Sequence, residues 1–287
     1  MHQDRHIARD ISYAHSAQSR SGRAVIRTME TLSGRIGLIK RAHGYEHEVA
    51  AGRDFWAVMV ERYGLSLDVI AGSLGNIPRE GPVILVANHP YGILDGLMLG
   101  HVLSETRGDF RILANSVFRK AQDLDRVVLP VSFDETREGV QINLETRRKS
   151  LAYLGEGGAI GIFPGGAVAT SAKLFSQPMD PGWRLFTARM VAKSRATVVP
   201  LYFDGHCSRM FQIATHLHQT LRMGLLIKEF GKRVDTPVRI GIGEPLTRDV
   251  LDPLSRDAKS LMEFLRRKTY ELSPNPIDPN SVGYEWT

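Results

Sequence analysis

Only one cysteine, Cys207, stands among 287 residues. A lone cysteine rules out an intrachain disulfide framework and suits a reducing compartment. No apolar stretch approaches the roughly 20 residues that a membrane-spanning helix needs. The start, MHQDRHIARDISYAH, lacks the apolar middle of a secretory signal. Internal repeats and low-complexity tracts are absent. So is a G-x-S-x-G elbow, which leaves a hydrolase-type serine unsupported. No H-E-x-x-H motif or clustered Cys/His spacing points to zinc, and no metal or redox cofactor is implied. Acidic residues are in the minority, 31 against 37 Lys and Arg, for a formal net charge of +6. Such a field favours anionic partners, whether nucleic acid, acidic lipid headgroups or phosphate-bearing groups.

What is present divides into three stretches. Residues 1–65 read as a basic, amphipathic helical region, 66–272 as one α/β domain, and 273–287 as a proline-rich surface tail. From Gly22 to His43, Val25, Met29, Leu32, Ile36 and Ile39 recur on one helical stripe, with Arg23, Arg27, Arg35, Lys40 and Arg41 around it. This helix either rests on an anionic membrane or packs on the body with a solvated basic face. A second helix is expected over Glu46–Arg62. After Leu65, short Val/Ile-rich runs (PVILVAN, FRILAN, RVVLPVSF, AIGIFP, ATVVPLYF, VRIGIGEPL) alternate with helical patterns. Helices are expected near 93–105, 137–154, 183–194, 217–230 and 254–271. The alternation predicts an α/β fold with a mainly parallel sheet flanked by helices on both faces, plus an N-terminal helical extension.

The stretch VANHPYGILDG carries the strongest chemical signal. On one continuous helix His89 and Asp95 would stand roughly 240° apart. Pro90 pushes His89 towards an extended conformation, and Gly92 allows a bend. His89 then ends a strand while Asp95 opens a helix, and the loop can bring them together. A neutral imidazole takes a proton near pH 7, and a carboxylate on its other nitrogen sets its tautomer. The alternative is a helix-opening carboxylate beside a loop histidine.

Three further stretches are candidates. In AIGIFPGGAVATS, a strand runs into Pro164-Gly165-Gly166, where bare backbone can approach a bound group or hold an oxyanion, or simply turn. In LANSVFRK, Arg119 and Lys120 follow a strand and suit an anion or solvent. VVPLYFDGHCS ends a buried strand. Cys207 there is either a thiol nucleophile or an inert buried side chain.

In this order, the four stretches resemble the PlsC-like glycerolipid and lysophospholipid acyltransferases, over about 66–246. The family's N-H-x4-D is similar to NHPYGILD with one residue added, a longer form that resembles the bacterial branch containing ornithine-lipid O-acyltransferases. The resemblance implies His89 as general base and Asp95 as its orienting carboxylate. It implies substrate contacts from Asn88, Gly92, Asn115, Arg119, Lys120, Phe163, Pro164, Gly165, Gly166 and Pro200. The family's F-P-E-G-T-R-S block departs here to FPGGAVA: Gly165, Ala167 and Val168 replace the Glu, Thr and Arg that would meet a glycerol phosphate.

A lyso-aminolipid therefore suits the resemblance better than lysophosphatidic acid. The implied donor is an acyl carrier protein or CoA thioester, and the implied place is the cytoplasmic face of the inner membrane, reached through the basic helix. A 1-acylglycerol-3-phosphate acyltransferase and a non-catalytic lipid-binding protein on the same fold stay open. Nucleic-acid binding rests on charge alone, without a recognisable helix-turn-helix or finger.

Overall fold

A computed structural model describes residues 12–17, 19–115, 122–132 and 136–285. The first described elements are a 3-10 turn, Tyr13–Ser16, and four helices: α1 Arg20–Leu32, α2 Arg35–Ala42, α3 Tyr45–Ala50 and α4 Phe55–Arg62. There follow β1 Ser66–Ala71, β2 Val83–Ala87, α5 Ile93–Arg107, β3 Arg111–Asn115, α6 Gln122–Asp125, β4 Val128–Val131, α7 Arg137–Gly155 and β5 Ala159–Ile162. A two-stranded hairpin comes next, β6 Thr170–Ser171 and β7 Pro178–Met179. The rest is α8 Leu185–Lys193, β8 Thr197–Phe203, α9 Arg209–Leu217, α10 Gln219–Gly231, β9 Pro237–Ile242, α11 Arg248–Leu251 and α12 Ala258–Tyr270.

Seven strands form one sheet in the order β1-β9-β8-β2-β5-β3-β4, parallel except for the β8–β9 pair. The expected strands are all present, with β1 and the small β6–β7 hairpin added. Central β2 is buried at all five positions, as a strand covered on both faces must be. Its side chains alternate. Val83, Leu85 and Ala87 enter a core with α5, α10 and the N-terminal helices, whereas Ile84 and Val86 enter a second core with α8 and α12. Helix α5 lies close against its neighbour α4 because position 100 has no side chain: a Cβ there would sit 2.2 Å from the Trp56 ring.

Two expected helices are divided in two. The first breaks into α1 and α2 at Ser33-Gly34, where Gly34 takes φ +99°. The second breaks into α3 and α4 around Gly52, at φ +91°. The helix expected over 217–230 is present as α10, and α9, which the sequence pattern did not reveal, precedes it across His218 in extended backbone. The N-terminal helices share the main core, to which Leu38, Ala42, Tyr45, Phe55 and Trp56 all contribute.

Inside α1, the buried residues are Ile26 and Glu30, not the apolar stripe read from the sequence. Val25 (45% exposed), Leu32 (83%) and, on α2, Ile36 (53%) face outwards, while Met29 and Ile39 of the same stripe pack against the main core. Among the described residues, no helix is long and apolar enough to cross a membrane.

Candidate active site

Strand β2 delivers Asn88 and His89 to the carboxyl edge of the sheet, the end where open α/β sheets bind ligands. Asn88 locks the strand end. Its Nδ2 donates to the Phe203 carbonyl at 2.9 Å, and its Oδ1 accepts from the Phe203 amide at 2.6 Å. Asn88 is 2% exposed, so its amide ties β2 to β8 and has no face left for substrate. Then the chain bends. Gly92 takes φ +83°, a left-handed conformation that other residues resist, and α5 begins at Ile93.

That bend closes the pair. His89 Nδ1 lies 2.9 Å from Asp95 Oδ2. The ring nitrogen is not aimed squarely enough at the oxygen to make a well-aligned hydrogen bond, so the two atoms stand in close contact. The same Oδ2 accepts amides from Tyr91 at 2.7 Å and Gly92 at 3.0 Å, while Oδ1 is buried with no hydrogen-bond partner among the described residues. Asp95 is fully buried. Burial pushes its carboxyl above the usual range, and His89 with the two amides pulls partly back. The His89 side chain is 18% exposed. Its Nε2 is not among the buried unpartnered atoms and has no hydrogen-bond partner among the described residues, so it opens towards solvent. One nitrogen is held and the other is free, which is the arrangement a general base needs.

A second layer fixes the histidine itself. Its amide donates to Asp180 Oδ1 at 3.0 Å, and its carbonyl accepts from Ala169 at 2.7 Å. The ring stacks on Phe163, with centroids 4.2 Å apart and planes at 26°. Asp180 is fully buried and also accepts from Trp183 Nε1 at 2.9 Å; burial raises its carboxyl above the usual range. Sequence reasoning missed Asp180. It sits in QPMDPGW, a turn-rich stretch with no spacing that ties it to His89, and only the fold brings position 180 to position 89.

The loop after β5 lies against this centre. Gly166 closes a turn by donating to the Phe163 carbonyl at 3.0 Å, and Pro164 accepts from Arg184 at 3.0 Å. A Cβ on Gly165 would stand 3.2 Å from Asp180. Arg222, 4% exposed on α10, clamps the loop's end by donating to the Val168 carbonyl at 2.7 Å and to Thr170 Oγ1 at 2.5 Å.

Other expected residues fall further away. Pro200 pairs with Val86 inside the sheet, and its ring meets Gly243, so it is a core residue of β8. Asn115 ends β3 at an exposed position, separated from β2 by β5. Arg119 and Lys120 lie outside the described residues. Cys207 is no nucleophile. It is fully buried, its Sγ donates to the Pro90 carbonyl at 3.2 Å, and burial drives its thiol well above the ordinary range.

Comparison with known proteins follows the same line. A family model described as "Acyltransferase" matches residues 39–279. A lyso-glycine lipid O-acyltransferase of Phocaeicola vulgatus is 24% identical over 228 residues, covering 77% of this chain and 78% of the relative. A protein of the same description from Bacteroides thetaiotaomicron is 22% identical over 228 residues, covering 77% and 80%. Among solved structures, the 1-acyl-sn-glycerophosphate (LPA) acyltransferase PlsC of Thermotoga maritima superposes with a TM-score of 0.46 at 17% identity, covering 90% of this chain and 85% of that one.

Proposed function

This chain belongs to the acyltransferase family, and from that premise we propose that it is a lyso-lipid O-acyltransferase whose acceptor is an amino-acid-headgroup lipid. The observation that carries the reading is the 2.9 Å approach of His89 Nδ1 to Asp95 Oδ2 with Nε2 left open. His89 Nε2 takes the proton of the acceptor hydroxyl as its oxygen attacks the thioester carbonyl of the donor. A tetrahedral oxyanion forms and collapses, the C–S bond breaks, and the imidazolium returns its proton to the departing thiolate. Asp95 stabilises the imidazolium in between. No acyl-enzyme is required.

The oxyanion needs donors that are not already engaged. Amides of Tyr91 and Gly92 serve Asp95, and that of Gly166 serves Phe163. Gly165 is the candidate that remains, since its amide has no acceptor among the described residues.

Two observations support the acceptor class. The matched relatives are named for lyso-glycine lipid, and Gly165, Ala167 and Val168 supply no charged side chain for a glycerol phosphate. The donor is an acyl carrier protein or CoA thioester, whose acidic surface or phosphates suit a chain of net charge +6. The protein sits peripherally on the cytoplasmic face of an anionic inner membrane. Val25, Leu32 and Ile36 face outwards on helices that also carry Arg23, Arg27, Arg35 and Lys40, an apolar and cationic combination that suits such a surface.

The test is incubation with labelled acyl carrier protein or CoA thioester and a panel of lyso-glycine lipid, lyso-ornithine lipid and lysophosphatidic acid, read by mass spectrometry. Diacylated product from the amino-acid lipids is expected. His89→Ala should lower its rate by about 10²–10⁴-fold. Transfer to lysophosphatidic acid alone would overturn the acceptor class, and lipid binding without turnover for any acceptor would leave a binding protein.

A further inference from the structure

The N-terminal 3-10 turn reaches the catalytic bend. Ser12 Oγ donates to Glu30 Oε2 at 2.7 Å, and the Tyr13 amide donates to Glu30 Oε1 at 2.7 Å. Glu30 is fully buried on α1, with Arg35 Nε 3.9 Å from it. Leaving a buried carboxylate without its donors is costly, so this tether holds the turn firmly against the body. It aims the Tyr13 phenol at the start of α5. A Cβ at position 92 would lie 3.2 Å from the Tyr13 hydroxyl, 3.3 Å from Val168 and 3.5 Å from Leu226. The phenol tip thus sits over Gly92 beside the loop after β5.

The first amides of a helix have no partner within it. In α5 and its lead-in, those of Tyr91 and Gly92 go to Asp95 Oδ2. The Ile93 amide lies near enough to the Tyr13 phenol oxygen to favour negative charge on it, but burial and the nearby Asp95 charge outweigh that. The hydroxyl therefore stays protonated.

We propose that Tyr13 is a positioning residue of the acyl-transfer site: pressed over Gly92 and beside the Ile93 amide, its hydroxyl fixes the turn that presents Asp95 Oδ2 to His89. The N-terminal segment is then part of the catalytic apparatus as well as a route to the membrane. This deepens the His89–Asp95 reading and rests on it. Tyr13 touches no reacting atom and acts through Asp95. Gly92 is required on both counts, since a side chain there would meet φ +83° and the phenol together.

The test is Tyr13→Phe, which keeps the ring and removes only the hydroxyl. With the melting temperature unchanged, kcat should fall roughly 10- to 100-fold, the size that a small misplacement of reacting groups produces. KM for the thioester donor should not move, which separates positioning from general loss of structure. A double-mutant cycle with His89→Gln completes the experiment. Tyr13→Phe should cost nothing further in that background, because there is no oriented base left to lose. Should Tyr13→Phe fail to fold, Ser12→Ala loosens the tether to Glu30 and should lower kcat by a smaller factor, again through the cycle. Wild-type kcat in the hydroxyl-deleted enzyme overturns the proposal, as does an equal loss in the His89→Gln background. Full turnover by His89→Gln alone would instead bring down the base reading, and the proposal with it.

Discussion

The loop after β2 and the loop after β5 leave neighbouring parallel strands at the same edge of the sheet, yet they work in different ways. The first is self-contained: His89, Gly92 and Asp95 assemble within seven residues, and the bend at Gly92 brings acid and base together. The second has no titratable side chain from Phe163 to Ala169. It contributes by contact, through a phenyl ring stacked on the imidazole and an Ala169 amide bonded to the His89 carbonyl. The titratable side chains are thus concentrated in one short segment, while a second segment supplies shape and, at Gly165, an amide with no acceptor among the described residues. A substitution in the first should act on the reaction, and one in the second on the geometry that serves it.

The sharpest way to break that contrast is Asp95→Asn. Asparagine can still accept the Tyr91 and Gly92 amides, but it cannot stabilise an imidazolium. Turnover should fall by about 10³–10⁴-fold, as when a triad loses its carboxylate. Stability should move the other way. Because burial raises the Asp95 carboxyl in the folded state, folding favours the protonated form, and the group's contribution falls as pH climbs from about 3.9 towards the raised value. Above that value the full cost is present. The asparagine variant lacks this slope, so its urea midpoint at pH 8 should equal or exceed that of the parent, with a flatter pH dependence. A midpoint well below the parent's at pH 8 would show that the Asp95 carboxylate is a structural support first.

Phe163→Ala tests the other loop. Losing the stacked ring should destabilise the fold by about 1–3 kcal/mol, since the side chain is only partly buried. It should lower kcat about tenfold through a looser imidazole. A loss as large as that of Asp95→Asn would erase the distinction between the two loops.

Leu32→Glu, on α1, sharpens the comparison from outside. The side chain is 83% exposed, so turnover on a micelle-soluble acceptor should be unchanged. Co-sedimentation with vesicles containing anionic lipid should weaken about fivefold, for roughly 1 kcal/mol of lost apolar insertion. Unchanged binding would move the membrane contact off this helix.

Much of the fold was legible, because alternating Val/Ile runs and helical patterns report burial directly. Central β2 shows it, being apolar throughout and covered on both faces. The errors share one cause. Across α1 and α2 the stripe of Val25, Met29, Leu32, Ile36 and Ile39 was read as one face, yet only Met29 and Ile39 pack on the core, and α1 turns Ile26 and a charged Glu30 inwards. Periodicity finds an apolar face, but it cannot say whether protein or lipid covers that face. Breaks at Gly34 and Gly52 depend on which glycines adopt positive φ, and local sequence does not settle that choice. The site divides in the same way. His89, Asp95 and Phe163 could be found because their signals lie within a motif's length. Asp180 and Tyr13 could not, since each reaches the site from a distant segment. Asn88 and Pro200 were found, but their work proved to be strand clamping and core packing.

By itself, the sequence determined a parallel-rich α/β chain with a histidine and an aspartate separated by a proline and a glycine. Those properties follow from side-chain polarity and local backbone freedom, which act over a few residues. Tertiary structure alone decided that Asp180 would hold the histidine's amide, that the β5 loop would stack on its ring and that Tyr13 would press on the bend. Such contacts join positions up to 91 residues apart. They exist only because burying two faces of one sheet brings those segments together.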